Sequence, residues 1–183
     1  MKRKADKMKR IIPVLLAVLL LSACGGAAQP KASPTPTASK NPYGSGFKVS
    51  PPADSDIVLT IKGASTINFT MKQLRDLGTS QITIQEPFVK AKQTFGVVNF
   101  KSLFDSLKIA QNASLNTVAL NDYAFKATAK DFFNNQALLA VSLNNAPIPM
   151  DAGGPIRLVF NTSSKWFTNL DAWNWSLRSV EIA

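Results

Sequence analysis

The apolar residues between positions 54 and 183 occur in short runs, where they alternate with polar residues. Ile57, Leu59 and Ile61 alternate in this way, and Gly63 then ends the run. Alternation with a period of two residues is typical of a half-buried β-strand. Because such strands are interspersed with short helical patterns, the chain is predicted to form an α+β domain with mixed β-sheets and short peripheral helices.

Further strands are predicted where apolar residues lie between turn-forming residues. They cover residues 81–85, 115–120, 123–127, 137–143 and 156–160. Asn121 and Asp122 separate two of these runs and predict a hairpin turn. Residues 88–94 carry no such alternation and are predicted to be irregular.

Three short helices are predicted from residues that can cap a helix N-terminus. Thr70 followed by Gln73 forms a capping-box pattern, in which each side chain can bond to the backbone N–H of the other residue. This pattern predicts a helix that reaches Leu77. Asn99 and Thr128 each precede a run with apolar residues at helical spacing, so we expect them to cap the other two helices.

The N-terminus has the pattern of a bacterial lipoprotein signal. A cationic segment of ten residues precedes an apolar run at residues 11–21, which is about half as long as a membrane span. Ser22, Ala23 and Cys24 follow and resemble a lipobox, whose cysteine accepts the lipid. We therefore predict a signal peptide over residues 1–23, acylation of Cys24 by fatty acids such as palmitate, and anchoring to the extracytoplasmic face of the cell membrane. The alternative is an ordinary secretory signal that happens to contain a cysteine.

The segment from residue 24 to residue 53 is rich in Pro, Ala, Ser and Thr. Such a composition buries too little apolar surface to offset the entropy of ordering the chain. It is predicted to be a disordered tether that begins at the lipidated cysteine. The folded domain is predicted over residues 54–183.

Composition excludes several classes of function. The chain has no histidine and a single cysteine, which rules out His-based catalytic sites, internal disulfides and cysteine clusters for zinc. The net charge of +10 suggests nucleic-acid binding at first. However, six of the 21 basic residues and one of the 11 acidic residues lie in the first ten positions, so the remainder carries 15 basic and 10 acidic residues. That balance gives a mildly basic surface, and we predict no nucleic-acid partner.

All three tryptophans lie close to the C-terminus, at positions 166, 173 and 175. Trp173, Trp175 and Leu177 would share one face of a final strand as core residues, with a bulge near Arg178 or burial on both sides. Arg157 lies on the second face of a strand whose other face is apolar. Because a buried unpaired charge is costly, it needs an anion, a carboxylate or solvent beside it.

Five short motifs occur in the same order as in one known family. They are residues 95–104 (Phe-Gly-Val-Val-Asn-Phe-Lys-Ser-Leu-Phe), 121–123 (Asn-Asp-Tyr), 137–140 (Ala-Leu-Leu-Ala), 153–159 (Gly-Gly-Pro-Ile-Arg-Leu-Val) and 165–166 (Lys-Trp). Together they resemble the oxidoreductase molybdopterin-binding domain of the sulfite oxidase type, over most of residues 56–182. The resemblance implies the α+β fold of that family.

The resemblance also implies a set of cofactor-binding residues. In the family, the strand and loop that match this part of the chain hold the pterin and its phosphate. The matching residues here are Arg157, Ser163, Ser164, Lys165 and Trp166. Cations and hydroxyl groups suit a phosphate, and Arg can bind one through two parallel hydrogen bonds. The alternatives are a salt-bridged Arg157, a solvated Lys165 and a Trp166 that fills the core.

Asp122 and Tyr123 match only part of the family's Asp-Gly-Tyr corner, because the glycine is missing. The resemblance makes them candidate cofactor-binding residues. The residues themselves favour a hairpin turn at this position over a substrate contact.

The chain departs from the family at the metal. Catalytic members bind molybdenum through a cysteine thiolate in the loop after the strand that corresponds to residues 81–85. This chain has Gln85, Glu86 and Pro87 there, and neither an amide nor a carboxylate replaces a soft thiolate. We therefore expect molybdopterin as a candidate ligand, no molybdenum and no catalytic residue.

Three functions follow as alternatives from this reading. The first is a non-catalytic, membrane-anchored module that binds a pterin or another small anionic ligand. The second is a divergent molybdopterin-dependent oxidoreductase or a subunit of a redox complex. The third is a surface domain that binds another protein. Fold does not decide among them, because function depends on the chemistry of the site.

Overall fold

The computed structural model describes residues 49–183. The predicted signal peptide, Cys24 and the tether up to residue 48 lie outside the described residues. None of the helices in residues 49–183 has the length and apolar character needed to span a bilayer.

Residues 49–183 form nine β-strands. They are β1 (Ile57–Lys62), β2 (Thr66–Thr70), β3 (Ser80–Glu86), β4 (Ala91–Asn99), β5 (Ser114–Ala119), β6 (Ala124–Thr128), β7 (Leu138–Leu143), β8 (Arg157–Val159) and β9 (Leu177–Ile182). A five-stranded sheet has the order β2-β1-β9-β5-β6, and a four-stranded sheet has the order β3-β4-β7-β8. The first sheet is mixed, since β1 and β9 run parallel and the other pairs are antiparallel. The second is antiparallel throughout.

The helices are short and lie between strands, as predicted for an α+β domain. α1 (Met71–Asp76) begins at Thr70 and α2 (Ala129–Asn134) begins at Thr128, each with a complete capping box. The Thr70 pattern is thus confirmed down to its partner Gln73. Asn99 also acts as a cap, since its side chain accepts a hydrogen bond from Lys101 N, although the helix it begins is a 3-10 helix.

The 3-10 helix that begins after Asn99 covers Phe100–Phe104. Further 3-10 helices cover Met150–Ala152, Lys165–Phe167 and Leu170–Ala172. The predicted hairpin between β5 and β6 is confirmed, with Asp122 at a positive φ of 66° in its turn. The predicted bulge is confirmed as well. Ser179 pairs with Val118 and Leu177 pairs with Ala119, so Arg178 is the extra residue of β9.

The structure differs from the sequence-based prediction at β4, at β2 and at the tryptophans near the C-terminus. Residues 88–94 were predicted to be irregular, which is wrong from Ala91 onward, because β4 begins there and pairs with β3 along the whole length of β3. The ladder uses backbone groups, so it tolerates the polar side chains at this end of β4, and Thr94 adds a 2.8 Å hydrogen bond to Thr83. The short strand β2 was not predicted, although Ile67 and Phe69 alternate with polar residues there; it pairs with β1.

The tryptophans near the C-terminus also differ from the prediction. Strand β9 begins only at Leu177, so Trp173 and Trp175 lie in the loop before it. Trp173 is buried in the core, whereas Trp175 is only half-buried. The prediction that both are inward residues of the closing strand is therefore wrong. The backbone reverses near Ser176, which has a positive φ of 51°.

One hydrophobic core joins residues from both sheets. The five-stranded sheet contributes Leu59, Leu115 and Val180, and the four-stranded sheet contributes Phe95 and Leu158, all of them fully or almost fully buried. The core also contains a charged side chain: Arg157 on β8 is 1% exposed and is the largest fully buried side chain of the described residues. Its surroundings define the candidate site.

Candidate functional site: an aromatic pocket held by a buried ion pair

Arg157 forms a buried ion pair with Glu86, the last residue of β3. Its Nη2 donates to Glu86 Oε1 at 2.8 Å, and the two side chains are 1% and 0% exposed. Its Nη1 donates to the carbonyl oxygen of Ala152 at 3.0 Å. Burial lowers the pKa of Arg157 to about 10, and the charge and hydrogen bond of Glu86 partly offset that effect. The guanidinium group therefore stays charged at neutral pH.

Glu86 also fixes the loop between β3 and β4. Its second carboxylate oxygen accepts hydrogen bonds from the backbone N–H groups of Phe88 at 2.8 Å and Val89 at 2.7 Å. Both carboxylate oxygens are therefore engaged. Because hydrogen bonds to a charged acceptor are among the stronger ones in proteins, this carboxylate sets the position of Phe88.

The guanidinium of Arg157 lies over the ring of a second aromatic residue. Its central carbon is 4.0 Å from the ring centroid of Trp175, within the range of a cation–π contact. The ring of Trp175 in turn contacts Phe88 edge-on, with 5.2 Å between the centroids. The ion pair between Glu86 and Arg157 thus holds two neighbouring aromatic residues, Phe88 through its backbone N–H and Trp175 through its ring.

Gly153 allows Trp175 to lie where it does. The glycine has a φ of 84°, a conformation that other residues rarely adopt. A Cβ atom at this position would lie 2.8 Å from the Trp175 ring, which is too close for any real contact. The glycine is therefore needed both for the turn and for the approach of the ring.

These aromatic residues line a cavity of about 520 Å³, which we call the aromatic pocket. Its walls are aromatic (Phe88, Tyr123, Trp173, Trp175), aliphatic (Leu120, Met150, Leu170) and polar (Asn121, Asp171, Ser176). The volume lies within the usual range for small-molecule sites, which are mostly apolar with a few polar groups. Leu120, Tyr123 and Leu170 are each more than 40% exposed. Exposed apolar side chains gathered at one cavity indicate a binding site.

The polar edge of the aromatic pocket is built around Tyr123. Its hydroxyl donates to the carbonyl oxygen of Asp171 at 2.9 Å, and its backbone N–H donates to the side chain of Asn121 at 3.2 Å. Burial raises the pKa of the Tyr123 phenol, and the nearby Asp171 carboxylate raises it further. The hydroxyl is therefore a neutral donor at physiological pH. It is hydrogen-bonded to Asp171, the acidic residue of the pocket.

The residues predicted to hold a phosphate are not brought together in this structure. Arg157 pairs with Glu86 inside the core, as in the salt-bridged alternative, and its hydrogen bonds go to Glu86 and Ala152. Ser164 is used locally: its hydroxyl donates to the carbonyl oxygen of Asn135 at 2.7 Å and caps the 3-10 helix through Trp166 N at 3.1 Å. The phosphate-binding role of the exposed Ser163 and Lys165 stays a prediction.

Trp166 is half-buried and packs against the core, and it does not line the aromatic pocket. Its ring makes edge-on contacts with Phe125, Phe132 and Phe160 at centroid distances of 5.3, 5.2 and 5.8 Å. Its carbonyl oxygen accepts a hydrogen bond from Trp173 Nε1 at 3.2 Å. The roles of the tryptophans are thus exchanged relative to the sequence-based prediction, which placed Trp166 in the site and Trp175 in the core.

The two candidate residues of the hairpin between β5 and β6, Asp122 and Tyr123, have different surroundings. Asp122 forms an exposed ion pair with Arg178 at 2.5 Å and does not line the aromatic pocket. Tyr123 does line it. Sequence reasoning also missed Phe88 and Asp171, whose only signal was the clustering of aromatic and turn residues on either side of them.

A comparison with protein-family models matches residues 48–175, more than half of the chain, to the oxidoreductase molybdopterin binding domain. The chain belongs to this family. No curated protein matches the chain. The membership confirms the fold class expected from the sequence, and the family binds molybdopterin.

The chemistry of the aromatic pocket does not fit the molybdenum cofactor of this family. Within residues 49–183, no Lys or Arg lines the pocket to meet a phosphate, and the carboxylate of Asp171 would repel one. The single cysteine of the chain is Cys24, the predicted lipid acceptor. Glu86, the last residue of β3, lies next to the position where the resemblance would place a cysteine, and both of its oxygens are engaged by Arg157 and by the loop backbone. The described residues contain no group of three or more His, Cys, Asp or Glu that could hold a metal ion.

Proposed function

We propose that this member of the molybdopterin-binding family is a non-catalytic binding module, anchored by a lipid to the extracytoplasmic face of the cell membrane. Its ligand site is the aromatic pocket. The observation that carries the proposal is the pocket's chemistry: four aromatic side chains and one carboxylate, with neither a thiolate nor a cation among the described lining residues.

The missing thiolate argues against oxo transfer. A soft ligand fixes and tunes a molybdenum centre. The carboxylate closest in sequence to the expected position of the thiolate is that of Glu86, and Arg157 already neutralises it. A pterin without metal remains compatible with the flat aromatic walls, although its phosphate would find no cation in the aromatic pocket. The exposed rim formed by Leu120, Tyr123 and Leu170 would serve equally in a protein-binding domain, which is the second candidate function.

Metal analysis tests the proposal directly. We expect the detergent-solubilised full-length protein, purified from a molybdenum-replete host, to contain far less than one molybdenum per chain. A molybdenum enzyme purified in parallel from the same cells controls for cofactor supply. Stoichiometric molybdenum would overturn the proposal in favour of a divergent oxidoreductase. Pterin fluorescence released on denaturation, without metal, would support a binding module that holds the pterin.

Lipid anchoring depends on Cys24. The Cys24→Ala variant should lack the lipid and be poorly retained in the membrane fraction, because the acyl chains predicted to hold the protein to the bilayer are then missing. Cell fractionation and mass spectrometry of the N-terminal peptide measure this, with Ser22→Ala as the matched control that keeps the cysteine. Retention of Cys24→Ala in the membrane fraction would contradict the anchor.

A further inference from the structure

We propose that the aromatic pocket binds an organic cation, such as an alkyl- or methyl-substituted ammonium group, with Asp171 as its counter-ion. The inference rests on the proposed function, because a pocket that served molybdenum chemistry would need a different charge. It also assigns a ligand opposite in sign to the anionic ligand expected from the sequence.

The walls have the arrangement that favours a cation. Phe88 meets Trp175 at an interplanar angle of 67° and meets Trp173 at 72°, with centroid distances of 5.2 and 6.2 Å. Rings set nearly at right angles present faces and edges to a common space. Ammonium groups bind to the negative faces of such rings, and cages of several aromatic side chains recognise substituted ammonium ions.

The charge of the pocket has the complementary sign. Asp171 is the one charged residue among the described lining residues, although the chain as a whole carries a net charge of +10. The hydrogen bond from the Tyr123 hydroxyl to its carbonyl oxygen holds this residue at the rim. An ammonium group in the pocket would therefore meet one carboxylate and no competing cation from the lining.

Trp175 already contacts one cation in this structure, the guanidinium of Arg157 at 4.0 Å. The positive charge of Arg157 is compensated by Glu86 at 2.8 Å, so it adds little repulsion toward a second cation in the pocket. Leu120, Leu170 and Met150 extend the lining with aliphatic surface. The volume of about 520 Å³ leaves room for an apolar body attached to the ammonium group.

Tryptophan fluorescence of the solubilised full-length protein, in a maltoside detergent that carries no ammonium group, tests this inference. The probes are choline and 3,3-dimethylbutan-1-ol, which have the same shape and differ in charge. We expect choline to bind at least about tenfold more tightly, because a tenfold ratio needs only about 1.4 kcal/mol, within the range of cation–π contacts. Asp171→Asn should weaken choline binding about fivefold or more and leave the alcohol unchanged. Asp105→Asn, which removes an exposed carboxylate outside the pocket, is the matched control.

The outcomes separate the two proposals. Equal affinity for choline and the alcohol would overturn the cation inference, as would choline binding that Asp171→Asn leaves unchanged. A protein free of molybdenum that shows no fluorescence response to choline would also overturn it while the proposed function stands. Stoichiometric molybdenum, in contrast, would overturn the proposed function itself.

Discussion

Replacing Glu86 with Gln should lower the free energy of unfolding by about 3–5 kcal/mol, the usual cost of leaving one member of a buried ion pair without its partner. Gln keeps the shape of the side chain, and its amide oxygen can still accept the N–H groups of Phe88 and Val89. The variant therefore removes both the negative charge and the hydrogen-bond acceptor opposite Arg157, which is 1% exposed and cannot turn to solvent. Urea denaturation followed by circular dichroism measures the effect.

Two further variants make this result interpretable. Asp105→Asn breaks an exposed ion pair with Lys101 and should change stability by no more than about 0.5 kcal/mol. Combining Glu86→Gln with Arg157→Met removes both charges, keeps an acceptor for the N–H groups of Phe88 and Val89, and should recover most of the stability lost in Glu86→Gln, because no buried charge is left without a partner. A loss below about 1 kcal/mol for Glu86→Gln would show that the ion pair is not the support of the aromatic pocket.

Trp173→Ala should cost about 3–5 kcal/mol, the range for removing a large aromatic side chain from a core. The ring is 2% exposed and lies between Phe160 and Phe167, at centroid distances of 5.7 and 5.6 Å. Its removal also leaves the carbonyl oxygen of Trp166 without its indole donor. Thermal and chemical denaturation should both show the loss.

The matched control is Leu170→Ala, at an aliphatic residue of the aromatic pocket that is 45% exposed. Its removal leaves no cavity in the core, so we expect a cost of no more than about 1 kcal/mol. Similar losses for the two variants would mean that Trp173 belongs to the pocket wall alone. In that case the distinction drawn between core and pocket would be wrong.

Features that depend on a few neighbouring residues were predictable from the sequence. The capping box at Thr70 needs only one partner three residues away and forms as predicted, and Thr128 caps its helix as predicted. The hairpin at Asn121 and Asp122 follows equally from local turn chemistry. The α+β class was predicted because short alternating runs, typical of strands, are interspersed with short helical patterns.

The candidate site was predicted much less well. Of the proposed cofactor-binding residues, Tyr123 lines the aromatic pocket, whereas Arg157 is buried in the core and the half-buried Trp166 packs against it. The motifs identified the family correctly, but family membership does not fix the role of each residue, because function depends on the chemistry of the individual site. Strand β4 was not predicted, because its polar first residues gain their pairing from β3 and not from their own pattern.

The sequence by itself determined the family, the class of fold, the local caps and turns, and the absence of histidine and of a second cysteine. Only the tertiary structure decided which charges and rings meet. Glu86 and Arg157 are 71 residues apart in the chain, and nothing in the local pattern of either predicts the other as its partner. The physical reason is that a buried charge must be compensated wherever the fold places an opposite one. That compensation set the positions of Phe88 and Trp175, and with them the pocket on which the proposed function depends.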